Sequence, residues 1–435
     1  METRSQVLAA SKRSHKKSSK KRPPSTSSLA KQLSNSTPEN APINRYHATT
    51  FPLFSGSDPL GDPNRLVPET SHVTSGVCNS LDTDRSLQFQ DLPFDCKLKV
   101  FAYLSNTEKG LAAPVCHNWW SVLTKSPCLW DNVLFSSLPS GCLPSAHHAA
   151  SEQCYDCYKT RVFQFVSFLV QLQPLVHTLE FKLDIEDSSE GFLGLLYRLF
   201  TNLSFRDLRY AHLNWKETPS KPFWLESATC DHCSEVIRSH RRRQRKFVHM
   251  FDQFTTLAPN VTTLVLPFEW STNSVKYLGR LKKLRNLVLE KYFVFQMLPQ
   301  HLLSRTLESL PSLQRLMLEV WTPSYDGLIT YSLTSKSIEY LDISQSRGFY
   351  VQKIDMPRLK VFRVARHPWN GPIVSKDRVV LPCVYEVLVN GAPSLVKLND
   401  HCLEPGWRDV SYPSLDEVFK SVCSCRRHRT GWALY

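Results

Sequence analysis

The stretch 261-VTTLVL-266 recurs as 284-LRNLVL-289 and 313-LQRLML-318, with apolar residues at the first, fourth and sixth positions each time. Two further copies are Ile338-x-x-Leu341-x-Ile343 and Leu359-x-x-Phe362-x-Val364. The middle positions lie 23, 29, 25 and 21 residues apart. Weaker versions precede them at Val176-x-x-Leu179-x-Phe181 and Leu208-x-x-Ala211-x-Leu213, and a partial one follows at Leu395-x-x-Leu398. The last three positions of each copy have the period of two that marks a short strand with one buried face. A unit this small cannot bury its own apolar face, so successive units must stack and align their strands in one parallel sheet.

That arrangement names a surface. If Leu264, Leu287, Leu316, Leu341 and Phe362 point into the core, the residues after them face the other way. These are Val265, Val288, Met317, Asp342 and Arg363, the expected docking strip for another protein. The returns Ser274–Leu281 and Leu298–Leu310 read as helical or loose segments on the opposite side. The turn positions Glu269, Tyr292, Trp321, Ser346 and His367 are not Asn or Cys, so no side-chain ladder is expected along the turns. The period breaks at 216–246, read as an inserted loop carrying Cys230-x-x-Cys233 and the basic run Arg238, Arg241, Arg242, Arg243, Arg245 and Lys246.

Upstream, Leu92 to Trp130 is dense in apolar residues at helical spacing. Leu92-Pro93 opens a first helix with Leu98, Val100, Phe101 and Leu104 on its apolar face. Ser105 to Glu108 caps a following segment, in which Pro114 is expected to kink the helix. Val115, Cys116, Trp119, Leu129 and Trp130 complete a small three-helix unit with more apolar surface than its own core can use. Leu92, Pro93, Leu98 and Phe101 are expected to form a patch for another protein.

Composition narrows the function. The 435-residue chain carries a formal net charge of +14, half of it in residues 1–24, where eight basic side chains face one acid. Residues 1–85 are rich in Ser, Thr, Pro and Lys and are expected to be disordered, either as an import signal or as a solvated tail. The body is close to balanced, so nucleic acid is not its expected partner. No segment reads as a membrane span or a secretory leader, and the 13 cysteines are expected to be thiols, packed or metal-bound. Phosphate-cradling loops, metalloprotease helices and nucleophile elbows are absent from the sequence, so the chain reads as a non-enzyme. Cys154-x-x-Cys157 and Cys230-x-x-Cys233 have a zinc-ligand spacing, with His147, His148, His232, Cys423, Cys425 and His428 as further candidate ligands. Chance pairing among many cysteines is the favoured explanation, and no metal or cofactor is assigned.

The run Leu92-Pro93, Asp95, Leu98, Val100-Phe101, Leu104, with Val115-Cys116-x-x-Trp119 and Leu129-Trp130, resembles the F-box over about forty residues. The downstream units resemble leucine-rich repeats. The resemblance implies a multidomain chain: a disordered tail (1–85), an all-α F-box (87–135), a linker (136–160), an irregular α/β leucine-rich-repeat solenoid (161–410) and a C-terminal tail (411–435). It also implies a non-catalytic substrate receptor of an SCF-type cullin–RING ubiquitin ligase, in the cytoplasm and/or nucleus. Leu92, Pro93, Leu98, Val100, Phe101, Leu104, Val115, Trp119, Leu129 and Trp130 would bind the Skp-type adaptor, and through it the cullin and RING subunits. The repeats would recruit a protein substrate. The alternative is a nuclear nucleic-acid-associated or scaffold protein using the basic tail and the basic loop.

Overall fold

The computed structural model describes residues 88–139, 141–143, 154–182, 191–214, 233–293, 298–321, 329–366, 382–409, 413–423, 425 and 428, all within one compact unit, Thr50–Tyr435. The expected tail at 1–85 lies outside the described residues. No helix among the described residues is long and apolar enough to cross a membrane.

Three short helices come first: α1 (Phe94–Ala102), α2 (Asn106–Ala112) and α3 (His117–Lys125). Pro93 is the N-cap of α1, one residue outside it. The Ser105 N–H donates to the Glu108 carboxylate at 2.7 Å and the Glu108 N–H donates to Ser105 Oγ at 3.3 Å, a reciprocal cap for α2. Pro114 follows the end of α2, so it separates two helices instead of kinking one. Edge-to-face contacts among Phe89, Phe101 and Trp119, with ring centroids 5.0–5.4 Å apart, form the core of this unit. Lys109 is buried as well. Its Nζ donates to the Leu129 carbonyl at 2.6 Å and lies 5.8 Å from the Trp130 ring, and burial pushes its pKa down.

The sheet begins earlier than the repeat pattern suggests. Trp130-x-x-Val133-x-Phe135 has the same spacing, and β1 (Asn132–Leu134) lies directly after the helical unit. Nor is 136–160 simply a linker, because α4 (Tyr155–Leu172) starts inside it. Arg161 on α4 reaches back to donate to the carbonyls of Pro139, Gly141 and Cys142. Next come β2 (Thr178–Lys182), α5 (Gly191–Asn202), β3 (Tyr210–Asn214), α6 (Cys233–Leu257), β4 (Thr263–Pro267), α7 (Thr272–Leu278), β5 (Asn286–Phe293), α8 (Gln300–Ser309) and β6 (Arg315–Trp321). The chain ends through β7 (Ile329–Thr334), β8 (Tyr340–Ile343), β9 (Phe349–Asp355), β10 (Val361–Val364), α9 (Val384–Gly391), β11 (Lys397–Leu398), β12 (His401–Cys402) and α10 (Pro413–Val422).

The main sheet has ten strands in the order β1-β2-β3-β4-β5-β6-β8-β10-β11-β12, all parallel except the last pair. Leu264, Leu287, Leu316, Leu341 and Phe362 share one register row and are at most 2% exposed. Each such side chain contributes about 1.5–3 kcal/mol by leaving water. One backbone device repeats at eight strand entrances of the main sheet. The carbonyls of Asp131, His177, Arg209, Thr262, Arg285, Gln314, Glu339 and Lys360 each accept two N–H groups from the next unit, at 2.8–3.3 Å.

Two returns differ from a helix. In place of convex helices, β7 and β9 pair as a separate two-stranded parallel sheet, with Tyr331 stacked on Phe349 at 4.2 Å. The expected inserted loop at 216–246 is likewise helical from Cys233 onward, because Phe247, Met250, Phe251 and Phe254 on α6 are buried. Residues 215–232 lie outside the described set. Ser346 also departs from the expected lack of turn bonding: its Oγ donates to the Leu318 carbonyl at 2.7 Å and accepts from the Val320 N–H at 3.0 Å.

Gly391 ends α9 where the chain touches β9, and a Cβ there would sit against the Ile354 carbonyl. Gly391→Ala is therefore expected to cost about 1–3 kcal/mol or more in a urea unfolding titration, as overpacking against backbone does.

Candidate functional sites

The helical unit leaves several large apolar side chains in solvent. Phe94 is 56% exposed, Val100 44%, Tyr103 76%, Val115 61% and Trp120 37%, with Pro93 exposed beside them. Leu92, Leu98, Leu104 and Trp119 are half-buried. Three expected contact residues are instead core: Phe101, Leu129 and Trp130 are 1%, 3% and 6% exposed. The reason is geometric. Phe101 sits between Phe89 and Trp119, and Trp130 packs edge-on against Phe168 of α4 at 4.9 Å while its Nε1 donates to the Leu123 carbonyl. The helical spacing identified the apolar face of α1 but not which of its residues turn inward. Tyr103 was read as part of that face, whereas the exposure of Phe94 and Trp120 was not foreseen, although their aromatic type on the same segments was a usable signal.

On the sheet, the expected strip is one continuous register row. Val265 pairs with Val288, Val288 with Met317, Met317 with Asp342, and Asp342 with Arg363. Val265, Val288, Met317 and Arg363 are half-exposed, whereas Asp342 is buried at 5%. Its carboxylate is occupied by Tyr340 Oη at 3.3 Å and by the N–H and Oγ of Ser344 at 2.9 and 2.7 Å. Arg363 extends past it toward Asp400 at 3.3 Å. Asp342 thus orients its neighbours and offers little to a ligand.

The same row continues toward the N-terminal end as Glu180 and His212, which the sequence reading did not include. His212 Nε2 is 3.6 Å from Glu290 Oε1 and its Nδ1 is 3.9 Å from Glu180 Oε1. The Glu290 carboxylate beside it holds the imidazole above its ordinary pKa, against the opposing effect of burial. Burial, with both carboxylates nearby, pushes the Tyr210 hydroxyl up. The strip therefore runs from a charged end through an apolar middle to Arg363.

Among the candidate metal ligands, Cys423, Cys425 and His428 do meet, together with Cys383. Cys154 and Cys157 gather with Cys142. His147, His148, Cys230 and His232 lie outside the described residues, and Cys233 opens α6. Arg241, Arg242 and Arg245 are exposed on α6.

Because the folded pKa of His212 is raised, its charge stabilises the fold fully below the unfolded value of about 6.5 and loses that effect as pH rises through the folded value. The stability difference between the native chain and His212→Gln is expected to follow this pattern in denaturant titrations. Glu290→Gln is expected to lower the His212 titration midpoint seen by NMR. No protein-family model matches the chain, and no curated protein matches it.

Proposed function

We propose that the chain is the substrate-recognition subunit of an SCF-type E3 ubiquitin ligase, with an F-box at α1–α3 that binds a Skp-type adaptor and leucine-rich repeats that recruit a protein substrate. The observation that carries this reading is the set of large apolar side chains that the helical unit leaves exposed. Its own core is complete around Phe89, Phe101 and Trp119, yet Phe94, Val100 and Val115 remain in solvent. Several large apolar side chains left in solvent on so small a unit suit a surface that another protein covers. The sequence resemblance supplies the identity of that protein, and the half-exposed Val265, Val288 and Met317 supply a second, separate surface.

The mechanism is proximity. The receptor forms no covalent intermediate; it raises the effective concentration of a substrate lysine near the charged conjugating enzyme. The joint between the two surfaces is short, since Trp130 packs on Phe168 and β1 follows at once. A substrate on the sheet would then be held at a fixed distance from the adaptor. The cytoplasm and/or the nucleus is the proposed location.

A second reading rests on Arg241, Arg242 and Arg245, whose side of α6 could hold nucleic-acid phosphates. It requires salt-sensitive RNA or DNA retention that is lost when the three are changed to Glu.

Affinity purification of tagged protein tests the ligase reading. Val100→Glu combined with Val115→Glu is expected to abolish recovery of adaptor and cullin, while stability stays within about 0.5 kcal/mol because both positions are exposed. Undiminished adaptor recovery rules the reading out. Met317→Glu is expected to leave adaptor recovery intact and to deplete proteins that accumulate on the bait under proteasome blockade.

A further inference from the structure

The geometry points to a structural Zn2+ site formed by Cys383, Cys423, Cys425 and His428, which fastens the end of the chain to α9. Cys383 is the N-cap of α9 and Cys423 directly follows α10. Cys425 and His428 come two and five residues later. Elements forty residues apart in sequence thus deliver four ligands of the kinds zinc prefers to one point.

The distances fit a tetrahedron. Cys383 Sγ lies 3.7 Å from Cys425 Sγ and 3.6 Å from His428 Nδ1, and Cys425 Sγ lies 3.1 Å from that nitrogen. All four ligand atoms are within 4.8 Å of one another. Zinc bonds of about 2.3 Å to sulfur and about 2.0 Å to nitrogen give tetrahedral edges of about 3.8 Å between sulfurs and about 3.5 Å from sulfur to nitrogen. A disulfide does not account for the arrangement, since sulfurs joined by one lie about 2.0 Å apart and a third thiol would be left over.

The surroundings suit a closed site. Cys423 and His428 are 2% exposed and Cys383 is 8% exposed. Phe419 stacks on the His428 ring at 5.6 Å, and Tyr385 packs edge-on against Phe419, so aromatic rings wall off water. The Cys425 N–H points at Cys423 Sγ at 3.5 Å, the kind of contact that supports a thiolate ligand. With four protein ligands no position is left for substrate, so the ion's role is to hold α9 and α10 together. Zn2+ entry displaces the protons of the protonated thiols to solvent, and three thiolates with one neutral imidazole complete the ligand set.

The test uses the full chain carrying Cys154→Ser and Cys157→Ser, which disarms the other cysteine cluster. About one zinc ion per chain is expected after dialysis, by mass spectrometry. Cobalt exchanged into the same protein is expected to show intense tetrahedral ligand-field bands and thiolate-to-metal charge transfer. Neither zinc nor a cobalt spectrum in this protein overturns the proposal. Cys423→Ser is expected to remove the metal. If that variant does not fold, His428→Cys decides: a retained ion with an altered cobalt spectrum upholds the site, and an unchanged spectrum or zinc content independent of both substitutions overturns it.

Discussion

Eight backbone carbonyls, from Asp131 to Lys360, each accept two N–H groups from the next unit, and the rest of the molecule depends on that joint. The accepting residue immediately follows the first apolar residue of a unit, as Arg285 follows Leu284 and Gln314 follows Leu313. Its carbonyl fixes where the next strand begins, and the parallel ladder then fixes its register. Once register is set, side-chain alternation decides everything on both faces. Leu264, Leu287 and Leu316 stack in the core because the backbone of each unit is anchored to the one before it. The returning segments are then free to vary, which is why α8 and the strand β7 can occupy successive returns.

Much of this was legible because the signal is local. The first, fourth and sixth positions of each copy specify a strand whatever the return does, so even the weak copies at Leu179 and Ala211 proved to be β2 and β3. The strip residues were legible for the same reason, since alternation places Val265 and Met317 without further information. The rest depended on tertiary context. Asp342 alternates outward like its neighbours, yet Tyr340 and Ser344 bury it. Phe101 and Val100 are adjacent on one helix, and only packing against Phe89 determines which of them is covered. Lys109 is buried because its ammonium group meets both the Leu129 carbonyl and the Trp130 ring, partners that only the folded chain supplies.

The two ends of the sheet are treated differently from its middle. At the first end, α2 closes on β1, with Asn106 Nδ2 donating to the Asn132 carbonyl at 2.6 Å. At the other, the chain reverses into β12 and then packs Trp407 and Phe419 against Tyr385 on α9. Those terminal pieces carry few of the repeat's residues. Cys383 escaped the sequence reading because its partners lie forty residues downstream, a separation that no spacing rule connects.

The reversal at β12 has a further effect. An open parallel sheet ends in a row of unpaired N–H and C=O groups, which can template a strand from another molecule. Here the last strand is only two residues long and runs antiparallel to its neighbour, and the first meets a side-chain amide instead of solvent alone. A stack that could in principle add strands without limit is thereby given two blunt ends. Those ends hinder edge-to-edge polymerisation of the chain without closing the sheet.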